Sequence, residues 1–325
     1  LSVVSANKDL VALYGPDIIH KAIENHVNFS CEASVGGGIP ILMPLHQSLA
    51  ANQIESIVGI LNGTTNYILS QMTETGVNYA NALVDAQKQG FAEADPTNDV
   101  CGFDAARKLA ILSSIGFRAN VTFDDVLVEG IEKIDKSDIQ YAKDMGYTIK
   151  LLTVALRQEN GIALNVYPAF LPDNHPLSSV KGAYNAIYVT GNIVDDVMFY
   201  GRGAGALPTA SAVMGDVIST AQHILNGSTG TGMIMTDTKR IPFYSSLKLQ
   251  NSYYFRLDVD DVTGVLSQIA AAFAENDISI CEVVQKRKTK GLAELVLITE
   301  LASRESILQV EKGLQVLPCM RKVAN

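Results

Sequence analysis

The first 39 residues contain two short apolar runs on either side of one amphipathic segment. Residues 1–5 and 29–35 are rich in apolar and β-branched side chains, which predicts two buried strands. Residues 17–26 carry apolar side chains at helical spacing, which predicts a helix between them. This strand–helix–strand order is typical of a doubly wound parallel sheet, which has about six strands. We therefore expect residues 1–39 to be the C-terminal remnant of a larger α/β domain.

Residues 40–225 predict a region in which strands and helices are mixed. Apolar or alternating runs predict strands at residues 54–61, 147–157, 162–171, 184–190 and 197–200. Helical periodicity predicts helices at residues 64–72, 79–89, 103–115 and 209–224, the first of them capped by Thr64 or Thr65. This order indicates an α+β domain with an open mixed sheet.

The remaining residues predict a linker followed by a small third domain. The segment NGSTGTG at 226–232 opens a polar, glycine-rich linker that we extend to residue 249. Residues 250–325 then predict the order β-α-β-β-α-β, with a basic tip at residues 287–291 between the two middle strands. That order is typical of a ferredoxin-like unit.

The charge and cysteine content exclude several classes of protein. The net charge of −9 argues against a nucleic-acid partner, because such a surface needs a basic face. The cysteines form no CxxC pair and no zinc-ligand spacing with histidine, so we interpret them as small buried side chains in a reducing compartment. No apolar stretch predicts a membrane span and no signal peptide is evident, so we expect a cytoplasmic protein without a membrane partner.

The densest group of chemical side chains lies in residues 91–108. This segment holds Glu93, Asp95, Asp99 and Asp104, and it then opens a helix in which Lys108 shares a face with Asp104. One interpretation is a helix cap with acidic first-turn residues and an ordinary surface ion pair. The other is a catalytic lysine, since the face around Lys108 is largely apolar and would partly desolvate the ammonium. The surplus carboxylates would then suit a substrate ammonium.

Three further features are weaker signals. Lys8 follows a predicted parallel strand, where such sheets bind ligands, but it also fits a solvated loop. The glycine runs at 36–38 and 201–205 resemble ligand-binding loops, yet each is compatible with a simple tight turn. The histidines show no catalytic spacing.

Taken together, these segments resemble homoserine dehydrogenases over about the first 225 residues. The matching stretches are SANK ending at Lys8, EASVGGGIPI at 32–41, GILNGTTNYIL at 59–69, GFAEADPTNDVCGFDAARK at 90–108 and YGRGAGALPTASAV at 200–213. The C-terminal region resembles an ACT domain, with its strand-to-helix turn at 260–266. The family's glycine-rich dinucleotide fingerprint would lie upstream of Leu1, so residues 1–39 would belong to a Rossmann-type nucleotide-binding domain.

The resemblance implies NAD(P)-linked interconversion of L-homoserine and L-aspartate 4-semialdehyde, a step of threonine and methionine biosynthesis. It implies Lys108 and Lys8 as the acid/base candidates, with Lys8 as an alternative cofactor ligand. It implies a substrate site formed by Glu93, Asp99, Asp104, Gly63 and Thr64, and a nicotinamide site at Gly203 and Ala204. It also implies a site for a monovalent cation such as sodium, formed by Glu32 and the carbonyls of Val35, Gly37 and Ile39.

The same resemblance implies a regulated assembly. ACT modules pair side by side and bind amino acids, so we expect an amino-acid effector and a homodimer or homotetramer, formed through the mixed sheet, the ACT module or both. Without the glycine fingerprint, we expect residues 1–325 alone to bind NAD(P) weakly. The alternative is a non-catalytic fragment that senses amino acids through its ACT domain. A structural α/β protein with an accidental motif is a further alternative.

Overall fold

The computed structural model describes residues 1–231, 241–287 and 291–324. The chain divides into two compact units, Leu1–Phe243 and Tyr244–Asn325. Residues 1–39 therefore share one compact unit with the region that follows them. The separate domain boundary after residue 39 and the linker bounds of 226–249 stay predictions.

The first unit contains eight strands and seven helices among its described residues. The strands are β1 (Val3–Val4), β2 (Phe29–Ser30), β3 (Ile54–Ile60), β4 (Leu127–Val128), β5 (Tyr147–Gln158), β6 (Gly161–Pro172), β7 (Tyr184–Gly191) and β8 (Asp195–Arg202). The helices are α1 (Lys8–Glu24), α2 (Gly63–Thr75), α3 (Tyr79–Lys88), α4 (Thr97–Val100), α5 (Phe103–Gly116), α6 (Lys136–Asp144) and α7 (Ala206–Leu225).

A six-stranded sheet forms the centre of this unit, in the order β4-β6-β5-β3-β7-β8. The pair β4–β6 is parallel and the other pairs are antiparallel, so the predicted mixed sheet is confirmed. Helices cover one face of the sheet. The apolar core on that face includes side chains of α2, α3 and α5. A smaller apolar cluster, which includes Leu152, Leu177 and Ala186, lies on the other face.

The β1–α1–β2 unit has the predicted parallel pairing, with Val3 opposite Phe29. The prediction of a buried first strand is wrong, because Val3 is 51% exposed. A strand that pairs along only one edge and carries no helix layer over Val3 leaves that side chain in solvent. The helix is also longer than predicted, since the side chain of Asn7 accepts the backbone N–H groups of Asp9 and Leu10 and starts α1 at Lys8.

Two local details near the acidic segment differ from the sequence prediction. The cap of α2 is Asn62, whose side-chain oxygen accepts the N–H of Thr65 at 2.8 Å, so neither threonine is the cap. An Asn in this position competes well with Thr because its carbonyl reaches the N3 amide. The short helix α4 was not predicted, since a four-residue helix has no periodicity to detect. After this helix, Gly102 has a φ of +82° and is the N-cap of α5.

The second unit has the predicted ferredoxin-like order, with a core of its own. Its main strands are β10 (Tyr254–Asp260), β11 (Ile280–Arg287), β12 (Leu292–Thr299) and β14 (Met320–Val323), and its helices are α8 (Val265–Ala274) and α9 (Arg304–Gln315). A two-stranded ladder adds β9 (Gln250–Asn251) and β13 (Ala302–Ser303). The main sheet has the order β11-β12-β10-β14. Three residues of the predicted basic tip, 288–290, lie outside the described residues.

Two remaining sequence expectations concern cysteines and membrane spans. Cys31 and Cys319 are buried as expected, but Cys281 is exposed, because its position in β11 faces away from the core of the second unit. Within the described ranges, no helix has the length and apolar composition needed to cross a membrane.

Candidate active site

The centre of the site is the Asp104 carboxylate, which binds two lysines. Lys108, one turn later in α5, donates to Oδ2 at 2.7 Å, and Lys8 at the start of α1 donates to Oδ1. Asp104 is only 4% exposed, so the interpretation as a surface ion pair is wrong. The pair is buried because α1 packs against α5 and closes over this face.

A third donor fixes the orientation of the same carboxylate. The amide of Asn62 donates to Asp104 Oδ2 at 2.9 Å and to Asp99 Oδ1 at 2.7 Å. The Asn62 side chain can do this because its own oxygen is held by the first turn of α2. The cap of one helix therefore links two of the three predicted substrate carboxylates, Asp99 and Asp104.

The electrostatics of Asp104 follow from these partners. Burial would raise the pKa of its carboxyl, but the adjacent Lys108 and Lys8 ammonium groups outweigh burial and hold the pKa well below its ordinary value. Asp104 is therefore ionised throughout the neutral range. It can hold both lysines in place without taking up a proton itself.

An acidic cleft of about 220 Å³ opens beside this cluster. Its lining residues are Lys8, Asp9, Glu93, Asp95, Asn98, Asp99, Asp104 and Arg107. Five carboxylates thus face two cationic side chains, which suits a ligand that carries an ammonium group. Lys108 adjoins the cleft through its bond to Asp104, and its ammonium also donates to the carbonyl of Leu61 at 2.9 Å.

Glu93 lines this cleft from an exposed loop position. Glu93 is exposed, because it lies in an irregular segment between α3 and α4. That segment is attached to its neighbours through backbone atoms. The hydroxyl of Thr64 donates to the carbonyl of Phe91 at 2.5 Å, and the Gln87 amide donates to the carbonyl of Glu93 at 3.1 Å. Thr64 therefore positions the loop that carries Glu93.

The predicted nicotinamide turn and the start of α2 both contact the same side chain, that of Asn185. A Cβ built on Gly203 would overlap the Asn185 side-chain amide, and one built on Gly63 would lie 3.5 Å from Asn185 Oδ1. Gly63 and Gly203 therefore both pack against Asn185 at the beginning of β7. The structure in this way brings the predicted substrate edge and the predicted cofactor turn to opposite sides of one side chain.

The segment that leads into β7 is anchored by a buried lysine. Lys150 in β5 is 2% exposed and donates to Asn66 Oδ1 at 2.9 Å and to the carbonyl of Val180 at 2.5 Å. Burial, with a smaller contribution from Lys181, lowers the pKa of Lys150 to about 8. The Asn66 amide in turn donates to the carbonyl of Tyr184 at 3.0 Å, so α2 and the start of β7 are held together.

The predicted cation loop lies beside a different cavity, of about 350 Å³. The buried Glu32 carboxylate accepts the backbone N–H groups of Ile41 at 2.6 Å, Leu42 at 2.9 Å and Met43 at 2.9 Å. The backbone N–H of Glu32 donates to Asp216 Oδ2 at 2.9 Å. Burial, followed by the charge of Glu32, raises the pKa of Asp216 to about 6. Among the described residues, no group of three His, Cys, Asp or Glu side chains could hold a metal ion.

The cation loop and the nicotinamide turn are in direct backbone contact. Gly37 has a φ of +55°, and a Cβ at this position would lie 2.5 Å from the carbonyl oxygen of Gly203. The N–H of Gly38 donates to the carbonyl of Arg202 at 3.1 Å. The two glycine-rich segments that the sequence identified separately therefore form one structural element.

Sequence reasoning missed three polar residues of this region. Asn62 carries a usable signal, since an Asn just before a helical run favours a helix cap, but the threonines that follow it have the same preference. Arg107 lines the cleft and donates to Asn98 Oδ1 at 3.3 Å, but an arginine in the first turns of a helix carries no sequence signal for this role. Asn185 carries no sequence signal, because its relation to Gly63 and Gly203 is created by the fold.

Comparison with known proteins identifies the family of this chain. Residues 40–218 match the family model described as homoserine dehydrogenase, and residues 253–319 match the ACT domain model. The homoserine dehydrogenase of Bacillus subtilis is 41% identical over 99% of this chain and 75% of its own length. The chain thus spans about three quarters of that relative.

Solved structures give the same result. The crystal structure of a homoserine dehydrogenase from Thiobacillus denitrificans matches with a TM-score of 0.93 and 37% identity, over 99% of this chain and 74% of that one. A hyperthermophilic archaeal homoserine dehydrogenase mutant in complex with NADPH matches with a TM-score of 0.60 and 29% identity, over 68% of this chain and 64% of that one. This chain belongs to the homoserine dehydrogenase family of oxidoreductases and carries a C-terminal ACT domain.

Proposed function

We propose that the Asp104 cluster carries out the proton transfer in the interconversion of L-homoserine and L-aspartate 4-semialdehyde. The observation that supports this role best is the pair of lysines on one buried, ionised carboxylate. A structural ion pair needs one cation, whereas a second ammonium on the same carboxylate leaves a positive charge beside the cleft. That charge is suited to stabilise an oxygen on which negative charge develops.

Lys108 is our candidate for the group that moves the proton. An ammonium has three N–H donors, and Asp104 and Leu61 accept from two of them. The third can donate to the substrate oxygen, which gains a proton when the aldehyde is reduced and loses it when the alcohol is oxidised. Lys8 is the alternative, because it lines the cleft and is the more exposed of the two, at 35% against 12% for their side chains.

The acidic cleft is proposed to bind the substrate ammonium. Glu93 and Asp99 are its candidate carboxylates, with Asp104 already bound by lysines. Gly63 and Thr64 lie at the first turn of α2, and backbone N–H groups at the start of a helix suit the substrate carboxylate. Opposite charges at the two ends of the site would orient an amino acid.

A nicotinamide cofactor is proposed to bind beside Gly203 and Ala204, with Lys8 able to meet a cofactor phosphate. The orphaned amide of Asn185 and the side-chain-free surface of Gly203 fit a flat, polar ring at this turn. When bound, the nicotinamide ring accepts or supplies the hydride. The related archaeal enzyme in complex with NADPH supports NADP(H), and NAD(H) is the alternative.

A monovalent cation such as sodium is proposed at Glu32 and the carbonyls of Val35, Gly37 and Ile39. The donor set partly fits, because Oε2 of Glu32 accepts one N–H group and retains a lone pair. Mostly neutral oxygen ligands suit a singly charged ion better than a divalent one. Sodium would then stabilise the turn that touches Gly203. Activity measured in sodium, potassium and choline chlorides at equal ionic strength tests this, and equal rates would contradict it.

Homoserine-dependent reduction of NADP⁺ or NAD⁺ tests the central proposal. The assay uses the gene product that contains these 325 residues and follows absorbance of the reduced cofactor. Formation of the reduced cofactor with homoserine, and not with serine or threonine, is the expected result. No turnover with either cofactor would contradict the proposal and favour an amino-acid-sensing role.

The ACT domain is proposed to bind a pathway amino acid, such as threonine, between paired copies of the chain. Its strand-to-helix turn ends at Gly264, which has a φ of +90° and is followed directly by α8. Backbone N–H groups in such a turn suit a carboxylate. Isothermal titration with threonine should give a saturable heat, and light scattering should give a dimer or tetramer. A monomer that gives no heat would contradict both expectations.

A further inference from the structure

Asn185 lies at the junction of the two halves of the proposed site. Its amide packs against Gly203 on one side and against Gly63 on the other. In the β3–β7 ladder, Ile60 pairs with Ala186, so Asn185 lies next to the continuation of β3 at Leu61. The carbonyl of Leu61 is the one that accepts from Lys108 at 2.9 Å. Asn185 therefore lies beside the residue whose carbonyl accepts from the proposed proton-transfer group.

The Asn185 side chain has no hydrogen-bond partner among the described residues, although it is 1% exposed. Both its donor Nδ2 and its acceptor Oδ1 are unpaired. A buried amide without partners costs free energy, because it loses its bonds to water and gains none in return. Such a group in the middle of a binding region indicates that its partner comes from a ligand.

We propose that the Asn185 side chain binds the carboxamide of the nicotinamide ring. This inference rests on the proposed function. A primary amide presents one acceptor and one donor side by side, and a second carboxamide presents the same pair in reverse, so two hydrogen bonds form in one plane. The amino-acid substrate is a poorer candidate for this amide, because its charged groups match the carboxylates and lysines of the cleft better than they match a neutral side chain.

Access to Asn185 requires movement of the turn at Gly203–Gly205. Each amide atom is closed to solvent, and a Cβ built on Gly203 would lie 2.1 Å from Nδ2, so this turn covers the amide. The turn has no side chain at Gly203 or Gly205, and its contacts with the segment of Gly37 and Gly38 are made through the backbone. A shift of the turn together with that segment would open the Asn185 amide to the ring carboxamide.

Cofactor analogues test this assignment by equilibrium binding. In the acetylpyridine analogue, a methyl group replaces the carboxamide nitrogen, so the carbonyl remains and the N–H donor is lost. Isothermal titration of the wild-type gene product that contains these 325 residues with the two reduced dinucleotides should give about tenfold weaker binding of the analogue. In Asn185→Leu, both hydrogen bonds are removed, so the two dissociation constants should agree within about twofold.

The matched control is Asn165→Leu. Asn165 is also a buried strand residue with an unpaired Nδ2, but it lies in β6 opposite Val154, outside the lining of the acidic cleft. This variant should keep the wild-type ratio of dissociation constants. A second variant, Asn185→Asp, keeps the acceptor and loses the donor, so it should weaken both ligands and preserve or increase the ratio.

The outcomes separate this inference from the proposed function. If the wild-type protein oxidises homoserine but Asn185→Leu keeps the tenfold ratio, the Asn185 assignment is wrong and the function stands. If Asn185→Leu does not fold, a ratio near one in Asn185→Asp also overturns the assignment. An increase in the homoserine KM without a change in the cofactor ratio would place Asn185 on the substrate side instead, which contradicts the proposal.

Discussion

Lys8 bonds Asp104 across 96 positions of the chain, from the first turn of α1 to the first turn of α5. This contact joins the β1–α1–β2 segment to the helix that carries Lys108. The proposed proton-transfer group and the alternative one therefore lie on either side of a single carboxylate. Variants of these residues should separate catalysis from folding.

Lys108→Ala should lower kcat by about 10²–10⁴-fold, because the substrate oxygen loses its proton donor and acceptor. Circular dichroism should show an intact fold. Lys88→Ala, on the exposed side of α3, is the matched control and should keep wild-type kcat. A kcat within a few-fold of wild type for Lys108→Ala, with a large loss in Lys8→Ala, would move the role to Lys8.

Asp104→Asn should destabilise the fold in a pH-dependent manner. The folded pKa of Asp104 is depressed, so its stabilising contribution is present above the unfolded value of about 3.9 and is lost as pH falls through the folded value. Loss of a buried carboxylate between two lysines should cost about 3 kcal/mol near pH 7. Urea unfolding of both proteins should show this difference shrinking below about pH 4. A difference that does not change with pH would contradict the ion-pair explanation.

Glu93→Gln should raise the KM for homoserine more than the KM for the cofactor, because the lost charge faces the substrate ammonium. Glu93 is exposed, so the fold should tolerate the change. Glu55→Gln, at an exposed position of β3, serves as the control and should leave both constants unchanged. Equal increases for substrate and cofactor would indicate a structural role for the loop.

Lys150→Met should reveal the cost of a buried ammonium. The folded pKa of about 8 lies below the unfolded value, so between pH 8 and about 10 the unfolded chain binds more protons. Stability of the wild-type protein relative to Lys150→Met should therefore rise with pH across this window, by up to about 3 kcal/mol. Urea unfolding at pH 7 and pH 10 measures the change. If the difference in unfolding free energy between the two proteins is the same at both pH values, Lys150 keeps an ordinary pKa.

Gly37→Ala should destabilise the protein more than Gly90→Ala. Both glycines have a positive φ, at +55° and +76°, so both substitutions carry backbone strain of about 1–2 kcal/mol. Only at Gly37 does the added Cβ meet backbone, whereas at Gly90 nothing lies within 4 Å. Thermal unfolding should rank the variants in that order, and cofactor binding should weaken only in Gly37→Ala. Equal losses would mean that the contact with Gly203 adapts freely.

Most of the sheet and both ACT helices could be predicted because their apolar residues repeat with a clear period. The hairpin β5–β6 was predicted within one or two residues at its ends. The first strand was predicted as buried because Val3 and Val4 are apolar, but burial depends on what covers a strand, and a local pattern does not contain that information. The helix α4 is too short for any period.

The candidate site could be predicted only in part for a related reason. Lys8 and the acidic segment that holds Asp99 and Asp104 were identified as separate local features, and the structure joins them. The spacing places Lys108 beside Asp104, but the second lysine, Lys8, reaches Asp104 only because α1 packs against α5, which no spacing along the chain encodes. The contact of Asn185 with Gly63 and Gly203 likewise requires the ladder between β3 and β7. The roles of these residues stay predictions.

The close approach of Gly37 to Gly203 limits how this protein can be recombined with its relatives. The two turns fit each other at backbone level, so a change in the length or shape of one displaces the other. A chimera that exchanges residues 29–41 alone would place a foreign loop against the native turn. Exchange libraries built from homologous chains should therefore move residues 29–41 and 201–208 as a single block, although about 160 residues separate them in the gene.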